Sequence, residues 1–252
     1  MKPFYPLLLA IQFLTQIPVR LKQTYGEREV GASLLYYPLV GLLLGALLAG
    51  LNSLLHGVPV LLHAALLLAA WVVMTGALHL DGLADMADGF GGGWTRERVL
   101  EIMKDSHIGA FGVITLCLTL AVKVAAVAYL CGSGDIGFLV LVPLFSRLLV
   151  VLQAVVNPYA RPEGGTAGRL VVEASWKHLL VSLLWTGALL AAFGFIPWKV
   201  VAIVLGTGLA VTVYIAVVGR RRIGGVTGDL LGATVELSET LMFVAAVLVP
   251  LP

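Results

Sequence analysis

Val60-Leu-Leu-His-Ala-Ala-Leu-Leu-Leu-Ala-Ala-Trp-Val-Val-Met-Thr-Gly-Ala-Leu-His-Leu80 runs directly into Asp81-Gly-Leu-Ala-Asp-Met-Ala-Asp-Gly89. The first part has the roughly 20-residue apolar length that an α-helix needs to cross a hydrocarbon core. The second places Asp81, Asp85 and Asp88, three of only fourteen acidic residues, at helical offsets of four and seven. On a helix such offsets bring side chains to one face, where like charges repel. A divalent cation is the usual offset for such a cluster, and hard carboxylate oxygens suit Mg²⁺, which keeps several waters and binds through a few carboxylates plus substrate phosphates. The plain alternative is a solvated helix end that marks a membrane boundary.

The rest of the chain supports the membrane reading. Of 252 residues, 60% are hydrophobic and 12% charged, and the mean hydropathy is +1.00; soluble domains carry about 25% charged residues. The expected fold is all-α: a polytopic integral membrane helical bundle forming a single membrane-embedded domain over 1–252. Hydropathy windows give seven candidate spans, at 34–55, 60–80, 110–130, 138–156, 178–195, 198–218 and 230–249. The segment 4–19 is apolar but short and broken by proline, and reads as interfacial or re-entrant; an eighth span there stays open. It lacks a small-residue cleavage site, so no cleavable signal peptide is expected. Cys117 and Cys131, fourteen positions apart, would stand about 21 Å apart on a helix, too far for a disulfide. A net charge of +2, spread over several loops, excludes a nucleic-acid surface.

Thirteen of the sixteen basic residues fall in the N-terminal segment and in the loops that alternate with it across the spans. Lys199 lies on the opposite side, and Lys123 and Arg147 lie within spans. The positive-inside rule puts the thirteen, and with them most of the acids, on the cytoplasmic side of a cytoplasmic (inner) membrane. Nucleotide-activated substrates are found on that side. No internal repeat is convincing.

Two further groups carry chemistry. In Met103-Lys-Asp-Ser-His-Ile-Gly-Ala-Phe-Gly112, Lys104 can neutralise phosphate, Asp105 can take metal or position a hydroxyl, and Ser106 and His107 can hydrogen-bond. Ser106, as the cap of the helix that follows, would add an anion site at its N-terminus. The plain alternative is an ordinary capped helix start. In Gly224-Gly-Val-Thr-Gly-Asp229, Thr227 and Asp229 precede a span that holds Glu236 and Glu239. Two glutamates three residues apart share a face that should point into the bundle. Lys123 and Arg147 each imply a buried partner, and Arg147 is expected to pair with Glu236 or Glu239. Arg220 to Arg222 read as a topology signal in contact with lipid headgroups. His79, a lone imidazole near an interface, reads equally well as structural.

These residues carry a family resemblance. The run from His79 to Gly89, then Met103 to Ser106 with Ile108 to Gly112, then Gly224 to Gly232 with Glu236 and Glu239, resembles the cobalamin (5′-phosphate) synthase, or adenosylcobinamide-GDP ribazoletransferase, family. Phe13-Leu-Thr-Gln-Ile-Pro-Val19 and Tyr37-Pro-Leu-Val-Gly41 resemble its opening segments, so the likeness runs in order through nearly the whole chain. His107 and Gln16 depart from it, standing where the family more often has basic residues.

The resemblance implies a Mg²⁺-dependent membrane transferase acting late in vitamin B12 assembly. It would join adenosylcobinamide-GDP to α-ribazole or its 5′-phosphate, giving adenosylcobalamin or its 5′-phosphate plus GMP. On that reading His79, Lys104, Asp105 and Asp229 are the catalytic candidates, with His79, Asp105 or Asp229 taking the hydroxyl proton. Gly82, Ser106, His107, Arg147 and Thr227 are expected to touch substrate, and Asp81, Asp85, Asp88, Glu236 and Glu239 to hold metal. The lipid bilayer is the one macroscopic partner expected, with room left for a homo-oligomer or association with other late corrinoid enzymes. Two alternatives stand beside this. A CDP-alcohol phosphotransferase would share the Asp-Gly pair, but here Asp85 falls where that class has arginine. A cation-coupled transporter would use Asp81, Asp85, Glu236 and Glu239, with polar residues deep in several spans.

Overall fold

A computed structural model of the chain describes residues 4–19, 26–161, 163–192 and 196–249. Lys2, Arg20 and Lys22, three of the charges used for orientation, and Phe195, the end of the fifth candidate span, lie outside them. The described residues form twelve α-helices. They are α1 (Tyr5–Leu14), α2 (Glu27–Ser33), α3 (Tyr37–Leu54), α4 (Val60–Thr75), α5 (Leu78–Gly92), α6 (Arg96–Ile102), α7 (Ala110–Ser133), α8 (Phe138–Val156), α9 (Thr166–Glu173), α10 (Trp176–Ala192), α11 (Trp198–Ile223) and α12 (Gly228–Leu248). Among those residues the only β pairing is an isolated bridge between Tyr159 and Val226.

Five helices are long and apolar enough to cross a membrane: Glu27–Leu54 (α2 and α3 together), α7, α8, α11 and α12. Helices α4 and α5 together would make a sixth, but they meet at 89°. Helix α10 is apolar but only 17 residues long. Six of the seven candidate spans lie mainly on one helix each, the one at 60–80 is divided between α4 and α5, and length and composition support five or six crossings. The segment 4–19 contains only the ten-residue α1, about 15 Å of helix and half a hydrocarbon core.

Apart from Ser146 and Arg147, helix α8 is apolar on every side from Phe138 through Val151, and it is buried almost throughout. The core is built around it. Towards its C-terminal end, Val150, Val151 and Ala154 pack with Leu14, Leu34, Val40, Ile215 and Leu230. Towards its N-terminal end, Phe138, Leu141 and Phe145 pack with Trp71, Leu130, Val204 and Phe243. Helix α12 is the other inner helix, buried from Leu230 to Thr240 apart from Leu237. The aspartate-bearing α5 and the membrane-depth α7 and α8 all pack on it.

The loops at one end are knitted together by arginine. Arg96 donates to the carbonyls of Ile223 (2.9 Å) and Ala160 (2.8 Å), and Arg222 to those of Phe90 (3.0 Å) and Gly93 (2.6 Å). Arg220 donates to Asn157 Oδ1 at 2.7 Å. Two of the three consecutive arginines, read from sequence as headgroup contacts, thus close helix ends that would otherwise expose carbonyls.

Candidate active site at the crossing of two helices

The span expected at 60–80 stops at Thr75. Gly76 (φ 62°) and Ala77 (φ 57°) are both left-handed and turn the chain into α5. Such a backbone costs a residue with a Cβ about 1–2 kcal/mol. The turn is held by hydrogen bonds from Ala77 N–H to Val72 (3.0 Å) and from Asp81 N–H to Ala77 (2.9 Å). Gln16, whose N–H reaches Met74 O at 2.7 Å, braces it from outside. His79 to Asp88 therefore belong to a separate helix running across the end of the bundle.

There α5 crosses α12 with no side chain between them. A Cβ on Gly82 would stand 2.9 Å from the Cα and carbonyl oxygen of Asp229, and one on Gly232 3.2 Å from the carbonyl of His79. Gly82, expected as a substrate contact, lines the neighbouring cavity, but its missing side chain is explained by this approach. The crossing brings Asp229, in the first turn of α12, towards Asp81. Arg161 Nη2 donates to Asp229 Oδ2 at 2.6 Å and to the Met103 carbonyl at 3.3 Å. Thr227 caps α12 by accepting the N–H of Leu230 (3.4 Å), and its hydroxyl donates to Asp229 (3.2 Å). Thr227, expected as a substrate contact, is fully buried and orients Asp229.

The three clustered aspartates have different surroundings. Asp81 is exposed and Asp85 half-buried. The charges of Asp229, Asp81 and Asp88 press on Asp85, with Arg161 the opposing cation. Asp88 is buried and accepts the N–H of Gly109 (2.7 Å) and of Gly112 (2.8 Å), the first turn of α7. A Cβ on either glycine would collide with its carboxylate. Ser106 therefore does not cap that helix, as expected from its position; an acid from α5 does, and a carboxylate is well placed against a helix dipole. Asp88, expected in the metal set, serves as this cap.

The loop before α7 is exposed. Lys104 pairs with Glu163, and Asp105 accepts the N–H of His107 (3.0 Å) and faces its imidazole Nδ1 (2.7 Å). The His107 backbone bond, then its side chain, hold the Asp105 carboxyl below the usual carboxylate range, and Lys104 does the same for Glu163. Ser106 is exposed beside them. Arg161 joins this loop, through Met103, to Asp229.

Glu236 and Glu239, expected to hold metal, are buried in an ionic network. Lys123 Nζ bonds Glu236 (2.9 Å) and Glu239 (2.6 Å) and lies 4.3 Å from the centre of the Trp71 ring. Arg147 pairs with Glu239 and with Ser146 Oγ (2.9 Å). Two cations and two anions cancel, which is how membrane-depth charges are tolerated. The expected pairing of Arg147 is found, to Glu239. Arg147, also expected to touch substrate, is entirely buried in this network. The transporter alternative called for deep polar residues in several spans; α7, α8 and α12 supply them as a self-neutralised lock between helices.

Beside the crossing lies a cavity of about 320 Å³ walled by α1, α3, α5, α8, α9 and α12. Its walls are mostly apolar, and its ionisable side chains are Tyr37, His79, Asp81 and Asp229. His79 is 4% exposed and its Nδ1 has no hydrogen-bond partner among the described residues. An unsatisfied buried polar atom costs about 1–3 kcal/mol. Among the described residues, no group of three or more His, Cys, Asp or Glu side chains is arranged to hold a metal ion by itself.

Arg161 is the residue of this site that sequence reading passed over. The signal was its place before Glu163-Gly-Gly165, in a loop on the same side as the aspartates.

A helical membrane protein with two carboxylates, from two crossing helices, on one apolar cavity is the class that fold and site define. The model of the cobalamin-5-phosphate synthase family matches residues 6–247, and the chain belongs to that family. It is 43% identical over 247 residues to the adenosylcobinamide-GDP ribazoletransferase of Pseudomonas fluorescens (strain Pf0-1), covering 96% of this chain and 99% of the relative. The enzyme of that name from Pseudomonas putida (strain GB-1) is 45% identical over 241 residues, 93% of this chain and 95% of the relative. That from Pseudomonas aeruginosa (strain UCBPP-PA14) is 44% identical over 246 residues, 96% and 97%. No solved structure matches the chain.

Proposed function

We propose that the protein catalyses the last condensation of cobalamin assembly. Adenosylcobinamide-GDP and α-ribazole, or its 5′-phosphate, give adenosylcobalamin, or its 5′-phosphate, and GMP. The observation that carries the reading to this site is the meeting of Asp81 and Asp229 on one cavity, in a chain of this family.

A ribazole hydroxyl oxygen attacks the phosphorus attached to cobinamide. The bond from that phosphorus to the bridging oxygen breaks, and GMP leaves with the oxygen. Such a displacement needs positioning and charge neutralisation more than covalent help. Asp229, steadied by Arg161 and Thr227, takes the hydroxyl proton. Buried His79 and the His107-bound Asp105 are less suited to that role. Arg161, whose guanidinium stands beside Asp229, is a cation for a phosphate oxygen. Lys104, now held by Glu163, is a second cation for the diphosphate.

Asp81 and Asp85 offer the hard oxygens that Mg²⁺ takes, and the electrostatic crowding of Asp85 favours a cation there. A site completed by substrate phosphates also agrees with the lack of a preformed three-residue cluster among the described residues. Bound there, Mg²⁺ would neutralise the diphosphate and stabilise the leaving oxygen. The basic loops support placing the site on the cytoplasmic face of the inner membrane.

The test is direct. Purified protein incubated with adenosylcobinamide-GDP, α-ribazole and Mg²⁺ should release GMP and form a complete corrinoid; no GMP with either ribazole form contradicts the reading.

A further inference from the structure

We infer that α9 is a lid, swinging on Gly164 and Gly165 to open and close the cavity beside Asp81 and Asp229. In its bearing on catalysis this rests on the transferase reading above. Thr166, Ala167 and Leu170 of α9 wall the cavity, and a Cβ on Gly228 would stand 3.1 Å from that of Ala167. The first turn of α9 thus lies on the first turn of α12, over the residue before Asp229, whose side chain is only 18% exposed. The chain on either side of α9 is tied down. Before it, Arg161 holds Asp229 and Glu163 pairs with Lys104. After it, the N–H of Ser175 donates to His178 Nδ1 (3.1 Å) at the start of α10. Between these anchors Gly164 (φ 76°) and Gly165 (φ 95°) both take a backbone that favours glycine. Among the described residues nothing lies within 4 Å of where their Cβ atoms would stand, so the pair is free to rotate.

Helix α9 itself, at eight residues, is too short to be stable alone. Among the described residues no hydrogen bond or salt bridge ties it to another element. It is held by an apolar face, Leu170 and Val171, and by two close seats. A Cβ on Gly168 would stand 2.9 Å from the Tyr159 ring, and one on Gly31 of α2 would collide with Glu173. Apolar seating without polar ties is the make-up of a segment that opens locally. Closed, α9 keeps water from the reacting diphosphate; open, it lets reactants reach Asp229 and products leave.

The experiment uses the full chain in lipid nanodiscs, with Cys117 and Cys131 replaced by serine. Ala167→Cys with Gly228→Cys sets two Cβ atoms near the ~3.8 Å separation of a disulfide, so oxidation pins α9 over α12. A fixed wall loses nothing by this. A lid does: GMP release should fall about tenfold or more on oxidation and return with dithiothreitol. Spin labels on Val172→Cys, at an exposed position of α9, and on Glu97→Cys of α6 read the motion without turnover. Val172 stands about 10 Å along the helix from the hinge, so ligand-free protein should give two label separations differing by about 5 Å or more. Gly168→Val presses α9 off Tyr159 and should raise the share of the second separation about fivefold or more. If that variant does not fold, Gly168→Ala makes the same contact with a single methyl. Oxidised protein as active as reduced overturns the lid, and so does one separation common to wild type and the Gly168 variant. Should the cysteine pair be inactive even when reduced, the label separations decide alone. Two separations without GMP release from wild type would sink the transferase reading and leave the lid; GMP release indifferent to oxidation, with one separation, would do the reverse.

Discussion

Asp88 and Gly112 are joined by a 2.8 Å hydrogen bond from the glycine N–H to a carboxylate oxygen, and that bond sets the third aspartate apart from the other two. Asp88 holds α7 against α5 as a cap supplied from another helix. Asp88→Ala should therefore cost about 1–2 kcal/mol of stability, seen as a lower thermal unfolding midpoint in detergent. Asp81→Asn should leave that midpoint in place. A reversed pattern would return Asp88 to the substrate site.

The Lys123–Glu239–Arg147 network predicts an asymmetry. Glu239→Gln leaves Arg147 without its carboxylate and weakens the hold on Lys123. Breaking a buried pair in this way costs about 3–5 kcal/mol. Glu236→Gln should cost less, because Lys123 keeps Glu239. Lys123→Met combined with Glu236→Gln removes one charge of each sign and should unfold at a higher temperature than Lys123→Met alone.

Arg161 bridges Asp229 and the Met103 carbonyl through one nitrogen. Arg161→Ala should lower the rate of GMP release by about 100-fold, and Arg161→Lys should restore little, since an ammonium lacks the planar fork. Recovery of full activity with lysine would show that charge alone suffices.

Chelation offers a test of the cation. Dialysis against EDTA should abolish GMP release, and Mg²⁺ should restore it. Asp85→Asn should raise the Mg²⁺ concentration needed for half activity. Turnover that persists after chelation would remove the metal from Asp81 and Asp85.

The sequence made the helical membrane fold legible because apolar length and charge asymmetry are local properties. Helical spacing likewise found Asp81, Asp85 and Asp88 and the facing pair Glu236 and Glu239. Spacing says which side chains share a face, not what stands opposite. Gly109 and Gly112 come to Asp88 from more than twenty residues away, and Lys123 and Arg147 reach Glu239 from helices about ninety or more residues distant. The turn at Gly76 and Ala77 was hidden for another reason. Alanine is a good helix former, and its left-handed backbone here is imposed by the packing of α5 on α12. Arg161 lay in a loop without periodicity, and only the fold gives it Asp229 as a partner.

The account turns on the carboxylates at the α5–α12 crossing. Its most direct test is GMP release by Asp81→Asn and Asp229→Asn beside wild type, with unfolding midpoints measured on the same preparations. The account predicts release at least about 100-fold slower in both variants with midpoints unchanged. Wild-type release from either folded variant would contradict it.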